Sequence, residues 1–146
     1  MFKEYIKIKL LIGSVIEFEM TNGIVAISQA IINVPDRLKD FGKQLEEYPL
    51  QPDSVTINFK ASMLYRGDTR MQGALQYFDR FVIDVYPYKT NGEAAITVKV
   101  QNNKPEFLGN NVEFSMFTNA ISVVELGAKL KTWNPEIDKE FLWEAE

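Results

Sequence analysis

The chain contains neither cysteine nor histidine. This excludes thiol and imidazole nucleophiles, Ser-His-Asp triads, zinc sites with Cys or His ligands, and a histidine pH switch. No apolar run approaches the roughly 20 residues that span a bilayer, and no glycine-rich loop that would cradle a phosphate is present. The sequence therefore predicts a protein that is not an enzyme and that holds no cofactor or metal. An enzyme using only carboxylate, lysine or tyrosine groups remains the open alternative.

The composition is that of one globular domain covering residues 1–146, with 46% hydrophobic and 25% charged residues. The formal charge of −4 and a pI near 5.0 do not favour nucleic-acid binding. Near the N-terminus, Lys7 and Lys9 alternate with isoleucines, which is typical of a strand and not of a signal peptide. With no cysteine present, we expect a cytoplasmic protein that does not bind membranes.

The first third of the chain alternates apolar and polar residues. Tyr5 to Ile12 and Ser14 to Met20 each show the period of two that marks a strand with one buried face, and Ile24 to Ile32 follows as a third, more apolar strand. Between the second and third runs, Thr21-Asn22-Gly23 supplies a tight turn, because Asn-Gly accepts positive φ readily. The pattern predicts an antiparallel meander of three strands.

Two segments show helical periodicity. The first begins at Pro35, a favoured first helical residue, and repeats Leu38, Phe41 and Leu45 at helical spacing. The second is predicted over residues 119–132, with Thr118 or Asn119 as its cap. Its residues are mostly apolar, so most of its circumference should be buried.

The remaining alternating runs predict further strands, and residues 63–76 are left undecided between a loop and an edge strand. The predicted fold is α+β, with a largely antiparallel sheet of about seven strands and the two main helices on one face. No internal repeat is found. The further strands are Ser54 to Ser62, Tyr77 to Tyr86, Ala94 to Gln101 and Asn111 to Phe117.

Two groups of carboxylates are candidate chemical sites. Glu17 and Glu19 share one strand face at a separation of about 7 Å, which would suit an acid and base pair for glycoside hydrolysis. A solvated strand face is the stronger interpretation, because nothing in the sequence raises either pKa. Asp79, Asp84 and Glu93 would suit Mg²⁺ or Ca²⁺ if they converged, but they lack a calcium-loop spacing.

Arginines and aromatic residues cluster in the middle of the chain. Arg66-Gly67-Asp68 matches a cell-adhesion tripeptide, although Gly67 is better explained as a turn residue. The neighbouring arginines and rings would suit stacking on single-stranded nucleic acid, but the acidic pI disfavours it. These residues are Arg66, Arg70, Arg80, Tyr65, Tyr77 and Phe78.

The acidic excess lies in a C-terminal tail, residues 134–146, which holds five acids and one lysine. One interpretation is a partner-binding surface, in which charge steers a basic partner and the aromatic residues anchor it. The other is a segment whose rings dock on its own domain while its acids stay solvated. The tail is predicted as a short helix capped by Asn134 or as a last strand. The candidate partner-binding residues are Glu136, Asp138, Glu140, Phe141, Trp143 and Glu144.

Over residues 14–132, the order of elements resembles that of the WapI-like immunity proteins, small bacterial proteins linked to polymorphic toxins. The resemblance rests on Asp36 to Leu45, on the hairpin Phe81 to Val85 with Ala94 to Val100, and on Val112 to Phe117 leading into a helix that ends Leu126 to Leu130. Such proteins neutralise a cognate toxin by binding it. The resemblance implies a binder and not an enzyme, and it carries no site residue over.

We therefore expect a non-catalytic binding protein, and specifically an immunity protein that occludes a basic toxin domain. The alternatives are a structural or assembly subunit, for example a phage-encoded one held by exposed strand edges, and a module that binds a small ligand. If the tail is the interface, truncation after Thr132 should weaken partner binding more than tenfold and leave the fold intact. The sequence does not indicate an oligomeric state.

Overall fold

A computed structural model describes residues 3–32, 35–48, 54–60, 80–88, 93–101 and 112–145. These residues form eight strands and two helices. The elements are β1 (Tyr5–Ile12), β2 (Val15–Thr21), β3 (Ala26–Ile32), α1 (Pro35–Glu46), β4 (Val55–Lys60), β5 (Arg80–Pro87), β6 (Glu93–Gln101), β7 (Val112–Asn119), α2 (Ala120–Thr132) and β8 (Glu140–Glu144).

The predicted N-terminal meander is confirmed. β1 pairs with β2 and β2 with β3, all antiparallel, and Ile8 lies opposite Phe18 on the buried face. Gly23 adopts φ +88° in the turn that joins β2 to β3, a conformation that favours glycine. The Asn22 side-chain oxygen accepts the backbone N–H groups of Ile24 and Val25, at 2.9 and 2.8 Å. The turn therefore has a defined shape.

The strands form two four-stranded sheets. Sheet A has the order β3-β2-β1-β8 and sheet B the order β4-β5-β6-β7. The same element order occurs twice, as β1-β2-β3-α1-β4 (the N-terminal unit) and β5-β6-β7-α2-β8 (the C-terminal unit). Among the described residues the repetition lies in the order of elements and not in a residue motif, so the absence of a sequence repeat did not reveal it.

Both sheets and both helices contribute to a single hydrophobic core. Phe18 of sheet A contacts two rings of sheet B, with its centroid 6.0 Å from that of Phe59 and 5.4 Å from that of Phe81. Phe59 and Phe81 are themselves stacked at 5.6 Å. Aromatic pairs in these geometries add about 0.5–1.5 kcal/mol to the burial of their area.

The helices cross at a pair of glycines. A Cβ built on Gly42 would lie 2.6 Å from the Gly127 carbonyl oxygen, and one built on Gly127 would lie 2.6 Å from the Gly42 carbonyl oxygen. Only glycine at both positions lets the two backbones approach this closely. The Asn119 cap predicted for α2 is confirmed, since its side-chain oxygen accepts the Ser122 N–H at 2.8 Å.

A side chain bonds a backbone carbonyl on each of the four edge strands. The Arg37 guanidinium donates to the Asn58 carbonyl of β4, and the Asn22 amide donates to that of Ser115 on β7. On β8 and β3 the carbonyls are those of Leu142 and Ala30, bonded by Lys129 and Gln29. Such bonds reduce the capacity of an edge to add another strand.

The predicted α+β class, with two helices and antiparallel pairing, is confirmed, but the single sheet of about seven strands is wrong. The described residues form eight strands in two sheets, so the helices do not pack on one face of one sheet. Alternation along a strand reveals its buried face but not its neighbour. β4 and β8 each leave their own meander and complete the other sheet.

Candidate functional site

The C-terminal segment begins with a hydrogen-bonded loop, residues 134–139, between α2 and β8. The Asn134 side-chain oxygen accepts the Glu136 N–H at 3.0 Å. The Asn134 backbone carbonyl accepts the N–H groups of Ile137 and Asp138, at 3.0 and 2.9 Å. Asn134 thus closes a turn locally, as asparagine does where a helix gives way to a new element.

The buried side chain of Trp133 anchors this loop to the core. Its indole N–H donates to the Asp138 backbone carbonyl at 2.8 Å, and its ring meets the Phe141 ring edge-on at 5.9 Å. The Leu10 N–H donates to the Lys139 carbonyl at 2.9 Å, which joins the loop to β1. The loop is therefore held at both ends and in its middle.

The tail after this loop is a strand. β8 pairs with β1, and its residues alternate between buried and exposed. Phe141 and Trp143 point into the core opposite Ile8 and Ile6, and the Trp143 indole N–H donates to the Ser122 carbonyl at 3.2 Å. Of the predicted partner-binding residues, these two rings thus lie in the core, whereas the four acids are exposed.

Two of the exposed acids face lysines of the N-terminal segment. The Glu140 carboxylate lies 3.3 Å from the Lys7 ammonium, and the Glu144 carboxylate lies 3.1 Å from that of Lys3. The hydrogen bond to Glu140 raises the pKa of Lys7. Sequence reasoning missed this neutralisation because the partners are far apart in the chain, although the lysines placed before and within β1 were the signal.

Glu136 and Asp138 differ from the other two acids. Within the described residues neither makes an ion pair, although Asp138 accepts the Glu140 N–H at 3.2 Å. Between them lies Ile137, which is 85% exposed. The loop therefore presents one apolar side chain between two carboxylates, at a position fixed by the bonds of Asn134 and Trp133.

A cleft opens on each side of the loop, and both share Trp133 and Asn134. The larger has a volume of about 330 Å³ and lies between the loop, α2 and β8. The smaller, of about 200 Å³, lies between the loop and α1. The larger is lined by Lys129, Thr132, Trp133, Asn134, Ile137, Asp138, Glu140, Phe141 and Leu142. Such a surface accepts apolar and cationic side chains, while no nucleophile and base are paired in it.

Glu17 and Glu19 lie on the outer face of sheet A. The Glu17 carboxylate lies 3.6 Å from the Lys9 ammonium, and Glu19 accepts the Tyr5 hydroxyl at 3.3 Å. Each carboxylate therefore has a partner on the neighbouring strand β1. This arrangement fits a solvated strand face better than a pair of glycosidase carboxylates.

The other candidate residues are dispersed. Asp84 accepts the Thr56 hydroxyl at 2.7 Å, and Arg80 donates to the Asn58 side-chain oxygen at 3.4 Å. Among the described residues, no group of three or more His, Cys, Asp or Glu residues is placed to hold a metal ion. The residues that fall outside the described ranges are Tyr65, Arg66, Gly67, Asp68, Arg70, Tyr77, Phe78 and Asp79, together with the undecided segment 63–76.

Neither helix in the described part of the chain is long and apolar enough to cross a membrane. Comparisons with protein-family models, with curated proteins and with solved structures found no match to this chain.

Proposed function

We propose that this chain is a non-catalytic protein-binding module whose interface is centred on Glu136, Ile137 and Asp138. The observation that carries the proposal is the exposed Ile137 side chain, held between two carboxylates on a loop with fixed hydrogen bonds. A surface of this kind suits a partner that offers an apolar pocket rimmed by lysine or arginine.

Preorganisation supports a binding role for this loop. Ordering a flexible loop on association costs roughly 0.5–1.5 kcal/mol per immobilised side chain. The bonds from Trp133 and Asn134 have already placed the backbone of the loop before any partner arrives. An exposed isoleucine on such a loop then adds apolar contact area at little further cost in entropy.

The charge of the loop supports a basic partner. Glu140 and Glu144 are matched by Lys7 and Lys3, so their contribution to long-range attraction is reduced. Glu136 and Asp138 make no ion pair within the described residues, and they remain available to steer a cationic surface. The interface is therefore a smaller one than the whole acidic tail.

Within this class, the role we propose is that of a cytoplasmic immunity protein that occludes a basic toxin domain. The support is the order of elements in the resemblance noted above, together with the rigid acidic loop. Assembly through strand edges is less well supported, because side chains bond a carbonyl on each edge strand. A small-ligand module is also less well supported, because the clefts beside Trp133 are open and not enclosed.

The test is capture of the partner from the native host by the tagged chain, compared with capture by Ile137→Ser. We expect the variant to lose the partner and its affinity to fall at least tenfold by isothermal titration calorimetry. Ile24→Ser is the matched control, because Ile24 is 89% exposed on another bonded turn. Equal capture by all three proteins would place the interface elsewhere.

A second pair of variants tests the charge. Glu136→Lys should slow association with the captured partner, whereas Glu113→Lys, in an exposed residue on β7, should leave the rate unchanged. The ratio of the two association rates should shrink as salt is added, because screening removes steering between exposed charges. Equal rates at low salt would contradict a role for Glu136.

A further inference from the structure

The N-terminal and C-terminal units match strand for strand. In sheet A, Ile16 of the middle strand lies between Leu10 and Ile31, and in sheet B, Ile96 lies between Val85 and Met116. One separation along the sequence relates Ile31 to Met116, Gly42 to Gly127 and Leu45 to Leu130. The third strand and the helix of each unit are thus in the same register.

Each unit gives its last strand to the other unit. β4 follows α1 and pairs with β5, and β8 follows α2 and pairs with β1. The exchanged strands make equivalent contacts, since Phe59 lies opposite Phe81 and Trp143 opposite Ile6. Without the other unit, each sheet would have three strands and an open edge along its first strand.

The helix crossing is also reciprocal. Gly42 meets the backbone of Gly127 and Lys131, and Gly127 meets the backbone of Gly42 and Glu46. An ion pair of 2.7 Å joins the Glu46 carboxylate to the Lys131 ammonium across the same crossing. This seam is built from both units in equal parts, as in an isologous dimer interface.

We infer that the two units form a complete binding pair that needs no covalent link, so that a second copy of this chain can supply either unit. Two chains then exchange units and form a dimer that retains every strand pairing of the monomer. The first unit of one chain closes on the second unit of the other. This partner is defined by surfaces already described and does not depend on the loop proposed for function.

Geometry permits this exchange. Lys60 ends β4 and Arg80 begins β5, and these residues are partners in the sheet. The stretch between them reaches up to about 60 Å when extended, which is enough to join two closed pairs. At low concentration the covalent link favours the monomer, because a tether gives an effective concentration in the millimolar range. Refolding at high protein concentration should therefore produce the exchanged dimer.

The first test cleaves the link. A site for a specific protease is inserted in the middle of residues 61–79 of the full chain, and the folded protein is cut. We expect the two pieces to elute together at 10 µM and to refold together after denaturation, with a melting temperature that rises with concentration. Separation of the pieces in native buffer, or failure to refold together, would overturn the inference.

The second test traps the exchange. Because the chain has no cysteine, Lys7→Cys and Leu142→Cys can be placed in two differently tagged chains, at positions that are partners across β1 and β8. After the two are denatured together and refolded at 500 µM, we expect a disulfide between chains, with at least tenfold less when folded monomers are mixed. Lys9→Cys with Leu142→Cys is the control out of register.

Equal cross-linking by the in-register and out-of-register pairs would show that the chains meet without exchanging β8, and it would overturn the exchange. Absence of the inter-chain disulfide after joint refolding would do the same. Placing Lys7→Cys and Leu142→Cys in one chain gives the reference yield, since that disulfide forms within the monomer.

Discussion

The two units share an interior but differ in their outer surfaces. Along the helices, Leu38, Phe41 and Leu45 of α1 correspond to Val123, Leu126 and Leu130 of α2, and all six are buried. The outward positions differ: three positions that carry charged residues in α1 carry apolar residues in α2. The outward pairs are Asp36 with Ile121, Lys39 with Val124 and Lys43 with Ala128.

This difference bears on the binding surface that we propose for the C-terminal unit. Packing at the shared seam constrains the interior of both units, whereas an outer position is free to change unless it contacts a partner. Tyr48 and Trp133 occupy corresponding buried positions in the two units, each just after the end of its helix. After Trp133, residues 134–139 form the loop that carries Ile137, the surface at which we propose binding, whereas the connection that follows Tyr48 lies largely outside the described residues.

The prediction with the largest expected effect concerns the removal of β8, the strand that the C-terminal unit contributes to sheet A. Truncation after Thr132 removes β8, with Phe141 and Trp143, and leaves β1 as an open edge. We expect no cooperative unfolding transition by circular dichroism, because each lost aromatic side chain is worth about 3–5 kcal/mol. Leu142→Ser, in an exposed residue of β8, is the control and should unfold normally. A truncated chain that melts cooperatively would show that sheet A closes without β8.

The position of β8 also shows how much of the fold could be predicted from the sequence. Alternation identified the buried face of most strands but not of β3 or β8, and Pro35 and Asn119 correctly located the starts of the helices. It did not reveal that β8 pairs with β1, because strand pairing at this separation is decided by the whole core and not by local residues.

The candidate site shows the same limit. The acidic tail was visible in the sequence, but its lysine partners were not, because Lys3 and Lys7 come near only once β1 and β8 pair. The exposure of Ile137 was missed as well. Its signal was Asn134-Pro135, which indicates a turn that would project the following residues.

The second prediction tests whether the two units contribute equally to the stability of the helix crossing. Gly42→Ala and Gly127→Ala each place a methyl group 2.6 Å from a backbone oxygen, so the helices must separate. We expect each to lower the free energy of unfolding by about 3 kcal/mol in urea denaturation.

Gly13→Ala is the control for these two variants. Gly13 has open space around its Cβ position but a φ of +56°, so the cost there is backbone strain alone. We expect about 1 kcal/mol. A cost at only one of Gly42 and Gly127 would mean that the seam is not shared equally.

The third prediction exchanges outer residues between the units. Ile121 is 74% exposed in the first turn of α2, and Asp36 holds the matching position in α1. Ile121→Asp should stabilise the chain by about 0.5 kcal/mol, because a carboxylate favours the positive end of the helix dipole. Asp36→Ile should destabilise it by a similar amount, measured by urea denaturation. A loss of stability in Ile121→Asp would indicate that Ile121 packs against its own chain.

The prediction with the smallest expected effect compares the two joints at which an exchanged strand pairs with the other unit, β8 with β1 and β4 with β5. At the joint of β1 with β8, Lys7 is bonded to Glu140, and this raises the pKa of Lys7 above its ordinary value of 10.5. A raised lysine pKa means that the folded state binds the proton more tightly, so this stabilisation is complete below pH 10.5 and is lost as pH rises through the folded value. At the joint of β4 with β5, the Arg80 side chain instead donates to the uncharged amide of Asn58, at 3.4 Å.

Lys7→Met should therefore reduce the fall in unfolding free energy between pH 10 and 11.5, and Glu140→Gln should reduce it in the same direction. The double variant should add little to either single change, because both remove one interaction. Tyrosines also titrate in this range: burial raises the pKa of Tyr48 and that of Tyr5, and Tyr5 interacts with Lys7 as well. Glu140→Gln leaves Lys7 in place beside Tyr5, so agreement between the two single variants assigns the effect to the ion pair. Asn58→Ala at the other joint should leave the pH slope unchanged. If Lys7→Met left the slope unchanged as well, the ion pair would contribute nothing to holding β8 on sheet A.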